Sequence, residues 1–186
     1  MKKIPTLYAR DWQGDRSRVI NEANPECAWV LDGQGRATRK WDGTAILMRA
    51  GRAFKRYDAK AGRTPPVEFE PAQDADPKTG HWPGWLPASD GPADRWLREA
   101  LGPRADLVYD GTYELIGPKV QGNPERWPEH ALVRHGSAHL TIADARFETV
   151  RHYLEINAIE GIVWHHDDGR MAKIKRRDFG IPWPPK

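Results

Sequence analysis

The sequence predicts a single α+β domain, residues 1–186, built on antiparallel β-sheets with flanking helices. Its 186 residues suffice to bury roughly 70% of the surface that the unfolded chain exposes, so one domain can fold without disulfides. Strand patterns outnumber helical ones, and they lack the regular strand and helix alternation of a doubly wound parallel sheet. Turn motifs near residues 50 and 168 predict two β-hairpins, each of which joins neighbouring antiparallel strands directly.

The first element is a β-hairpin over residues 45–56. Two strand-like runs flank Ala50-Gly51, a two-residue connection typical of tight hairpins. Either two-residue register pairs Arg56 with the start of the hairpin. We therefore expect its guanidinium to return to the neighbourhood of the loop that contains Lys40.

The middle of the chain is less regular. Residues 62–92 are rich in Pro, Gly and Asp and predict a long surface excursion, either a substrate loop or an ordered insertion. The remaining periodic patterns predict two packing helices, at 94–101 and 144–156, and two strands, at 107–116 and 131–134.

The last hairpin is expected to gather charged side chains. Asp168-Gly169 is a strong signal for a two-residue turn, which would place Glu160 on the same sheet face as Lys173 and Lys175. A turn one residue earlier keeps this parity, whereas a three-residue loop or a bulge would break it. The predicted pairs are Trp164 with Lys173 and Ile162 with Lys175.

Composition excludes several classes of protein. The single Cys27 rules out an internal disulfide framework and a cysteine-built zinc site, and it favours a reducing, cytoplasmic setting. No stretch approaches the ~20 apolar residues of a membrane span, and the first residues do not form a signal peptide. We therefore expect a soluble protein that does not bind membranes.

The charge balance and the tryptophans leave two alternatives open. The net charge is only +3, from 29 Lys and Arg against 26 Asp and Glu, although residues 170–177 concentrate basic side chains without an acid. Nine tryptophans are many for this length. They can stack on bases or fill a small mixed core, and the second role is expected for most of them.

The stretch most indicative of chemistry is Lys40-Trp41-Asp42-Gly43. A lysine two residues before Asp-Gly is how covalent nucleotidyltransferases present a nucleophilic amine, although the pattern alone is weak. A free lysine has a pKa of ~10.4, so about one molecule in a thousand is neutral at pH 7.4. Nearby cations that lowered this pKa to ~8 would raise the neutral fraction roughly two-hundred-fold.

Other charged residues downstream can serve the same chemistry. Lys173 and Lys175 can hold phosphate oxygens as Lys40 attacks, and Glu160 can hold a divalent cation directly or through water. Each also has a structural alternative, because Glu160 can pair with a surface lysine and the two lysines can form one solvated strand face. Their joint appearance after Lys40 and Glu114 favours the catalytic interpretation.

The chain resembles the superfamily of ATP-dependent ligases and capping enzymes, and more narrowly the small RNA ligase family that includes the vertebrate 5′-to-3′ RNA ligase. The similarity covers most of residues 38–184 and is weakest at 88–104. The motifs that carry it are Lys40-x-Asp42-Gly43-Thr44, Arg56-x-Asp58-x-Lys60, Pro83-Gly84-Trp85-x-Pro87, Glu114-Leu115-Ile116-Gly117, Gly122-Asn123-Pro124, His135-Gly136, Glu160-Gly161-Ile162-Val163-Trp164-His165-x-Asp167-Asp168-Gly169, Lys173, Gly180 and Trp183-Pro184.

The resemblance implies a ligase-type nucleotidyltransferase domain and a three-step reaction. ATP adenylylates Lys40, AMP passes to an RNA 5′-phosphate, and a 3′-hydroxyl then attacks the activated end. Mg²⁺ or Mn²⁺ would assist, and no protein partner is predicted. The implied roles are Lys40 as nucleophile, Thr38 at the adenine edge, Arg56 on phosphate or ribose, Glu114 on ribose, Lys173 and Lys175 on phosphate, and Glu160 as the metal-linked acid.

The chain departs from the wider superfamily in two places. Where many ligases stack an aromatic ring on adenine, the strand after Glu114 offers His135, so that role stays unassigned with His135 as a candidate. Since the sequence ends at Lys186, we expect no OB-fold of the kind that DNA ligases and capping enzymes carry, which argues against both. Nucleotidyl transfer to another acceptor and nucleotide or RNA binding without turnover remain as alternatives.

Overall fold

The computed structural model describes residues 1–77, 79–103 and 108–185. Within these residues the chain forms antiparallel sheets and three short α-helices, which confirms the mixed α+β class. The chain divides into two compact units. The large-sheet unit comprises Met1–Lys3 and Asp42–His135, and the small-sheet unit comprises Ile4–Trp41 and Gly136–Lys186. That the two act as one nucleotidyltransferase domain without an OB-fold stays a prediction.

The small-sheet unit contains a two-stranded sheet and a three-stranded sheet in the order β11-β10-β3. Apolar side chains from one face of the three-stranded sheet pack against helix α3 and the N-terminal strands. Cys27 lies in this core, and burial raises the pKa of its thiol to about 11, as expected of a packing cysteine. The elements are β1 (Tyr8–Arg10), β2 (Val19–Ala23), α1 (Ala28–Leu31), β3 (Arg36–Lys40), α3 (Phe147–Ile156), β10 (Gly161–His165) and β11 (Met171–Lys175).

The large-sheet unit is a six-stranded sheet in the order β6-β7-β5-β4-β8-β9 with one helix, α2, packed on it. Its core contains Ile46, Met48 and Leu115 from the sheet and Leu97 from the helix. The elements are β4 (Thr44–Arg49), β5 (Arg52–Ala59), β6 (Glu70–Pro71), β7 (Trp82–Pro87), α2 (Arg95–Leu101), β8 (Gly111–Ile116) and β9 (Ala131–Arg134).

The hairpin predicted at residues 45–56 is confirmed by β4 and β5. Arg49 pairs with Arg52, and both residues of the connecting turn have positive φ, 50° at Ala50 and 71° at Gly51. This backbone matches the type I′ turn that joins twisted strands directly. Within the predicted excursion at 62–92 the chain forms β6 and β7, and β7 pairs with β5 from Trp82 to Pro87.

The other predicted elements differ mainly at their ends. The helix predicted at 144–156 begins at Phe147, since Asp144 instead accepts the Arg146 N–H at 3.0 Å in a turn before the helix. The helix predicted at 94–101 begins at Arg95. The strand predicted at 107–116 begins at Gly111, while residue 107 lies outside the described residues. The strand predicted at 131–134 has those bounds.

The predicted register of the last hairpin is wrong. Val163, not Trp164, pairs with Lys173, and Gly161 pairs with Lys175. The cause is a three-residue loop at 167–169, closed by the His166 N–H donating to the Arg170 carbonyl at 2.9 Å. Gly169 has φ 89°, the left-handed conformation that ends a three-residue hairpin loop. Lys173 and Lys175 therefore lie on the opposite face from Ile162 and Trp164.

Candidate active site

The three-stranded sheet of the small-sheet unit carries four predicted site residues on one face. Strand β10 pairs with both neighbours, so Lys40, Gly161 and Lys175 form one row across the sheet, and Thr38, Val163 and Lys173 form the next. Directly opposed residues share a face. We call Thr38, Lys40, Lys173 and Lys175 the lysine face. It lies opposite the face that packs into the core of the unit.

A glycine at the centre of the lysine face keeps the strands in register. A Cβ atom at Gly161 would lie 2.2 Å from the carbonyl oxygen of Ile174, which belongs to the backbone of the neighbouring strand. Such a contact cannot be relieved by a side-chain rotation. The two neighbouring residues thus have different roles. Glu160 places a carboxylate just before β10, and Gly161 lets the backbone of the neighbouring strand come close.

Glu160 reaches the lysine face from the residue before β10. Its side chain is 11% exposed, and Oε2 accepts a short hydrogen bond from Lys40 Nζ. Lys40 Nζ also donates to the Trp41 carbonyl at 3.2 Å. The structure thus brings together the predicted nucleophile and the predicted metal-linked acid. Glu160 contacts Lys40 from the residue before β10, and not from a position within the last hairpin as predicted.

The charge of Lys173, on the lysine face, is disfavoured by its surroundings. Burial is the main cause that lowers its pKa from 10.5 to about 8. The positive charges of Lys40 and Lys175 lower this pKa further, against the opposing carboxylates of Glu160 and Asp178. A phosphate at this face would remove the mutual repulsion and raise the pKa again.

The backbone of Lys173 is fixed on both sides. Val163 pairs with it across the hairpin, and on the other edge its N–H donates to the Pro5 carbonyl at 2.9 Å. Its carbonyl accepts the Leu7 N–H at 2.8 Å. An ammonium group on so constrained a strand is well placed for a fixed anion, because little backbone freedom is left to lose on binding.

Thr38 is the fully buried member of the face. It is 1% exposed, and its hydroxyl donates to the Val163 carbonyl at 3.1 Å. The hydroxyl is therefore already used inside the sheet. Its predicted role at the adenine edge stays a prediction.

A second cluster of predicted residues belongs to the large-sheet unit and centres on Glu114 of β8. Its Oε1 accepts the Gly43 N–H at 3.0 Å, and its Oε2 lies 2.8 Å from Nε2 of His135. A Cβ atom at Gly43 would lie 2.1 Å from the Leu115 carbonyl oxygen, so the Asp-Gly turn needs a glycine. We call Gly43, Glu114 and His135 the carboxylate cluster. Here Glu114 shapes the loop that follows Lys40 in the chain.

His135 is oriented by Glu114 and retains one unused nitrogen. Its Nδ1 atom is buried and has no hydrogen-bond partner among the described residues. Since a ring nitrogen can donate or accept according to its tautomer, Nδ1 can meet a polar atom of a ligand. The ring's candidacy for adenine stacking stays a prediction.

Arg56 lies on the same sheet face as Glu114. Lys55 pairs with Ile46, so continuing the register by one residue aligns Arg56 with Ala45, which itself pairs with Glu114. The backbones of β5 and β8 are two strand spacings, about 10 Å, apart. Arg56 donates to Asp58 at 2.9 Å and to the Met1 carbonyl at 2.6 Å.

Sequence reasoning missed two acids that organise these clusters. Glu125 accepts the Asp42 N–H at 2.8 Å through Oε1 and so supports the Asp-Gly turn. The signal for it was the neighbouring Gly122-Asn123-Pro124 motif. Asp178, 3% exposed, accepts the Lys175 N–H at 2.8 Å. No pattern in the local sequence indicates this second contact.

The residues present fit a metal ion only as part of a metal–phosphate complex. In the described part of the chain, no group of three or more His, Cys, Asp or Glu side chains could hold a metal. Mg²⁺ commonly binds through one or two carboxylates together with substrate phosphates and waters. Glu160, beside a lysine-rich face, fits that mode.

Comparison with known proteins identifies the family. The RNA ligase 1 family model matches residues 90–186. RNA ligase 1 of Danio rerio is 30% identical over 152 residues, which cover 63% of this chain and 46% of the relative. RNA ligase 1 of Pongo abelii is 28% identical over 141 residues, covering 58% and 43%. That of Mus musculus is 26% identical over 151 residues, covering 63% and 46%.

The chain belongs to the RNA ligase 1 family. It spans about half the length of the curated relatives it matches. The family model includes Glu114, Glu160, Lys173 and Lys175, whereas Thr38, Lys40 and Arg56 precede it. Across residues 1–77, 79–103 and 108–185, no helix is long and apolar enough to cross a membrane.

Proposed function

We propose that this protein joins RNA 5′-phosphate and 3′-hydroxyl ends at the expense of ATP, through an adenylyl group carried on Lys40. The observation that supports this most is the lysine face, where Lys40 lies beside Lys173, Lys175 and Glu160 in a member of the RNA ligase 1 family. Three amines around one carboxylate suit the transfer of a negatively charged group.

The proposed reaction has three balanced steps. In the first, the Lys40 amine, after losing a proton to solvent, attacks the α-phosphorus of ATP; an N–P bond forms and pyrophosphate leaves. In the second, an RNA 5′-phosphate oxygen attacks that phosphorus, the N–P bond breaks, and an RNA-adenylate forms. In the third, a 3′-hydroxyl attacks the RNA 5′-phosphorus and AMP leaves.

Each cluster has a distinct role in this proposal. Lys173 and Lys175 would bind the α-phosphate oxygens, whose negative charge grows as Lys40 attacks. Glu160 holds the Lys40 ammonium before the reaction, and Lys40 must leave this pair to act as a nucleophile. Thr38 would meet the adenine edge, Glu114 the ribose, and Arg56 a phosphate or the ribose.

Glu160 would also hold Mg²⁺ or Mn²⁺ bound with the nucleotide. The cation, when bound, neutralises charge on phosphate oxygens. With Lys40 released, the Glu160 carboxylate regains both oxygens for this purpose.

Intact-protein mass spectrometry after incubation with ATP and Mg²⁺ tests the first step. Wild type should gain one AMP, ~329 Da, and Lys40→Ala should gain none, because the adduct needs the amine. Lys119→Ala, which removes an exposed lysine of the large-sheet unit, is the matched control and should label like wild type. An adduct that persists in Lys40→Ala would refute Lys40 as the nucleophile.

The same experiment separates the alternatives. Label from GTP but not ATP would favour capping-like transfer. No label from either nucleotide, after removal of bound pyrophosphate, would favour a nucleotide-binding domain. For the later steps, the adenylylated protein is supplied with a 5′-phosphorylated RNA and a 3′-hydroxyl acceptor. A joined RNA supports the ligase, whereas AMP transfer without joining would limit the activity to adenylylation.

A further inference from the structure

Trp12 is the one exposed tryptophan among the nine, all of which the structure describes. The other eight are buried or partly buried. Trp12 is 69% exposed. Trp12 does not fill the core, so its ring is accessible for stacking on a base.

The loop that carries Trp12 is held by its own acids. It connects β1 to β2 over residues 11–18. Asp11 accepts the Gly14 N–H at 2.7 Å, and Asp15 accepts the Ser17 N–H at 2.9 Å. Asp15 also forms an ion pair with Arg18 at 3.2 Å, and these contacts order the loop backbone before any ligand arrives.

A cation accompanies the exposed ring. The guanidinium carbon of Arg16 lies 5.7 Å from the centre of the Trp12 ring. Arg16 is exposed and forms no ion pair with the residues that the structure describes. An aromatic face beside an uncompensated guanidinium is complementary to a nucleotide, whose base can stack while its phosphate pairs with the cation.

The loop is tied to the strand that bears the phosphate lysines of the same unit. Arg10 donates to the Ser17 carbonyl in the loop at 3.0 Å and pairs with Oδ1 of Asp178 at 2.8 Å. The other carboxylate oxygen of Asp178 accepts the Lys175 N–H at 2.8 Å. One buried carboxylate thus links the Trp12 loop to the end of β11.

We propose that Trp12 and Arg16 form a contact for the RNA strand, with a base stacked on the indole and a neighbouring phosphate paired with the guanidinium. This inference rests on the proposed function, since it names a surface that would grip the RNA being joined. Stacking on a flat ring tolerates every base. The contact should therefore add affinity without strong sequence preference.

RNA binding by the intact chain tests the proposal. The probe is a fluorescent, 5′-phosphorylated single-stranded RNA of about 12 nucleotides, measured by anisotropy without ATP. Trp12→Ala should weaken binding roughly 5- to 150-fold, and Trp12→Phe should keep most of the affinity. Arg16→Gln should weaken binding and reduce the slope of log affinity against log salt by about 0.7.

Two variants of the same unit serve as matched controls. Ile156→Ala removes an apolar side chain from a residue that is 67% exposed, and Arg151→Gln removes one exposed positive charge from helix α3. Both should bind the RNA within about twofold of wild type, since neither belongs to the Trp12 loop. Equal losses in Trp12→Ala and Ile156→Ala would overturn the proposal.

Lysyl-AMP formation, which needs no RNA, separates this inference from the proposed function. If wild type forms the adduct and Trp12→Ala binds RNA as tightly as wild type, the Trp12 contact is refuted and the ligase proposal stands. If RNA binding depends on Trp12 but wild type forms no adduct, the contact stands and the ligase proposal fails. Self-association that depends on Trp12, with unchanged RNA affinity, would assign the surface to protein contact and overturn the inference.

Discussion

The two units carry different charged side chains on corresponding sheet faces. In each unit the predicted site residues lie mainly on the sheet face that points away from that unit's own hydrophobic core. The small-sheet unit offers three lysines with one carboxylate at their edge, whereas the large-sheet unit offers a carboxylate flanked by an imidazole and, along the same row, a guanidinium.

The two surfaces also differ in how well their charges are satisfied. Glu114 is buried but has a partner on each carboxylate oxygen, so its charge is supported by the protein itself. Lys173 is partly buried beside two further cations, and both the desolvation and the neighbouring positive charges lower its pKa. A face with three lysines and one carboxylate is suited to an anionic ligand, and a carboxylate with a partner on each oxygen is suited to fixing a loop. We therefore expect variants of the lysine face to affect chemistry most and variants of the carboxylate cluster to affect binding and stability.

The largest effect is expected for Lys40→Arg. Arginine keeps the positive charge and can still pair with Glu160, but its guanidinium does not become a nucleophile. We expect lysyl-AMP formation to fall by at least on the order of 10³-fold while the melting temperature stays near that of wild type. Mass spectrometry and thermal unfolding measure the two quantities. A labelled Lys40→Arg protein would exclude Lys40 as the nucleophile.

Lys173→Met should separate activity from stability. Loss of one phosphate contact should slow adenylylation roughly 10²-fold at saturating ATP. The free energy of unfolding should stay the same or rise, because methionine fills a partly buried position without a charge to desolvate. Single-turnover labelling and urea denaturation test both halves, with Lys119→Met as the control. A Lys173→Met protein that labels at the wild-type rate would show that Lys173 does not act on phosphate.

Glu114→Gln should affect binding more than chemistry. The glutamine can still accept the Gly43 N–H, but its bond to His135 loses the contribution of the negative charge. We expect the KM for ATP to rise roughly tenfold with a small change in kcat. Stability should fall by about 1 to 2 kcal/mol. If kcat fell tenfold at unchanged KM, the division of roles between the units would be wrong.

The pH dependence should give the smallest effect, a several-fold change. Because the pKa of Lys173 is about 8, its ammonium is charged below that pH and loses its proton as pH rises through it. ATP affinity should therefore decline from pH 7 to 9. Lys173→Arg should flatten this decline, since arginine stays charged. An identical decline in both proteins would assign the titration to another group.

The lowered pKa of Lys173 also predicts how the free energy of unfolding changes with pH. Between pH 8 and the ordinary lysine value of 10.5, the unfolded chain binds more protons at Lys173 than the folded protein does. The contribution of this residue to the free energy of unfolding should therefore rise with pH in that window. Subtracting the profile of Lys173→Met from that of wild type isolates the contribution.

The two hairpins show how far local sequence predicts register. The Ala50-Gly51 connection was correctly predicted, because both central residues adopt the positive φ that a two-residue turn requires. The same reasoning failed at Asp168-Gly169, because a glycine with positive φ also completes a three-residue loop. Both loops satisfy the local backbone. The choice between them decides which side chains of β11 share a face with Ile162 and Trp164, and burial of Ala172 and Ile174 on that face favours the observed loop.

The sequence by itself determined the family and the mixed antiparallel fold class, and it predicted the residues that the structure groups in the two clusters. Spacing alone places Lys173 and Lys175 on one face in any register, because side chains alternate along a strand. Only the tertiary structure decided that β3 lies beside β10, which brings Lys40 to Glu160 across 120 residues, and that Trp12 is left on the surface. Such pairings depend on which faces the whole sheet buries, and that energy is distributed over residues far apart in the chain.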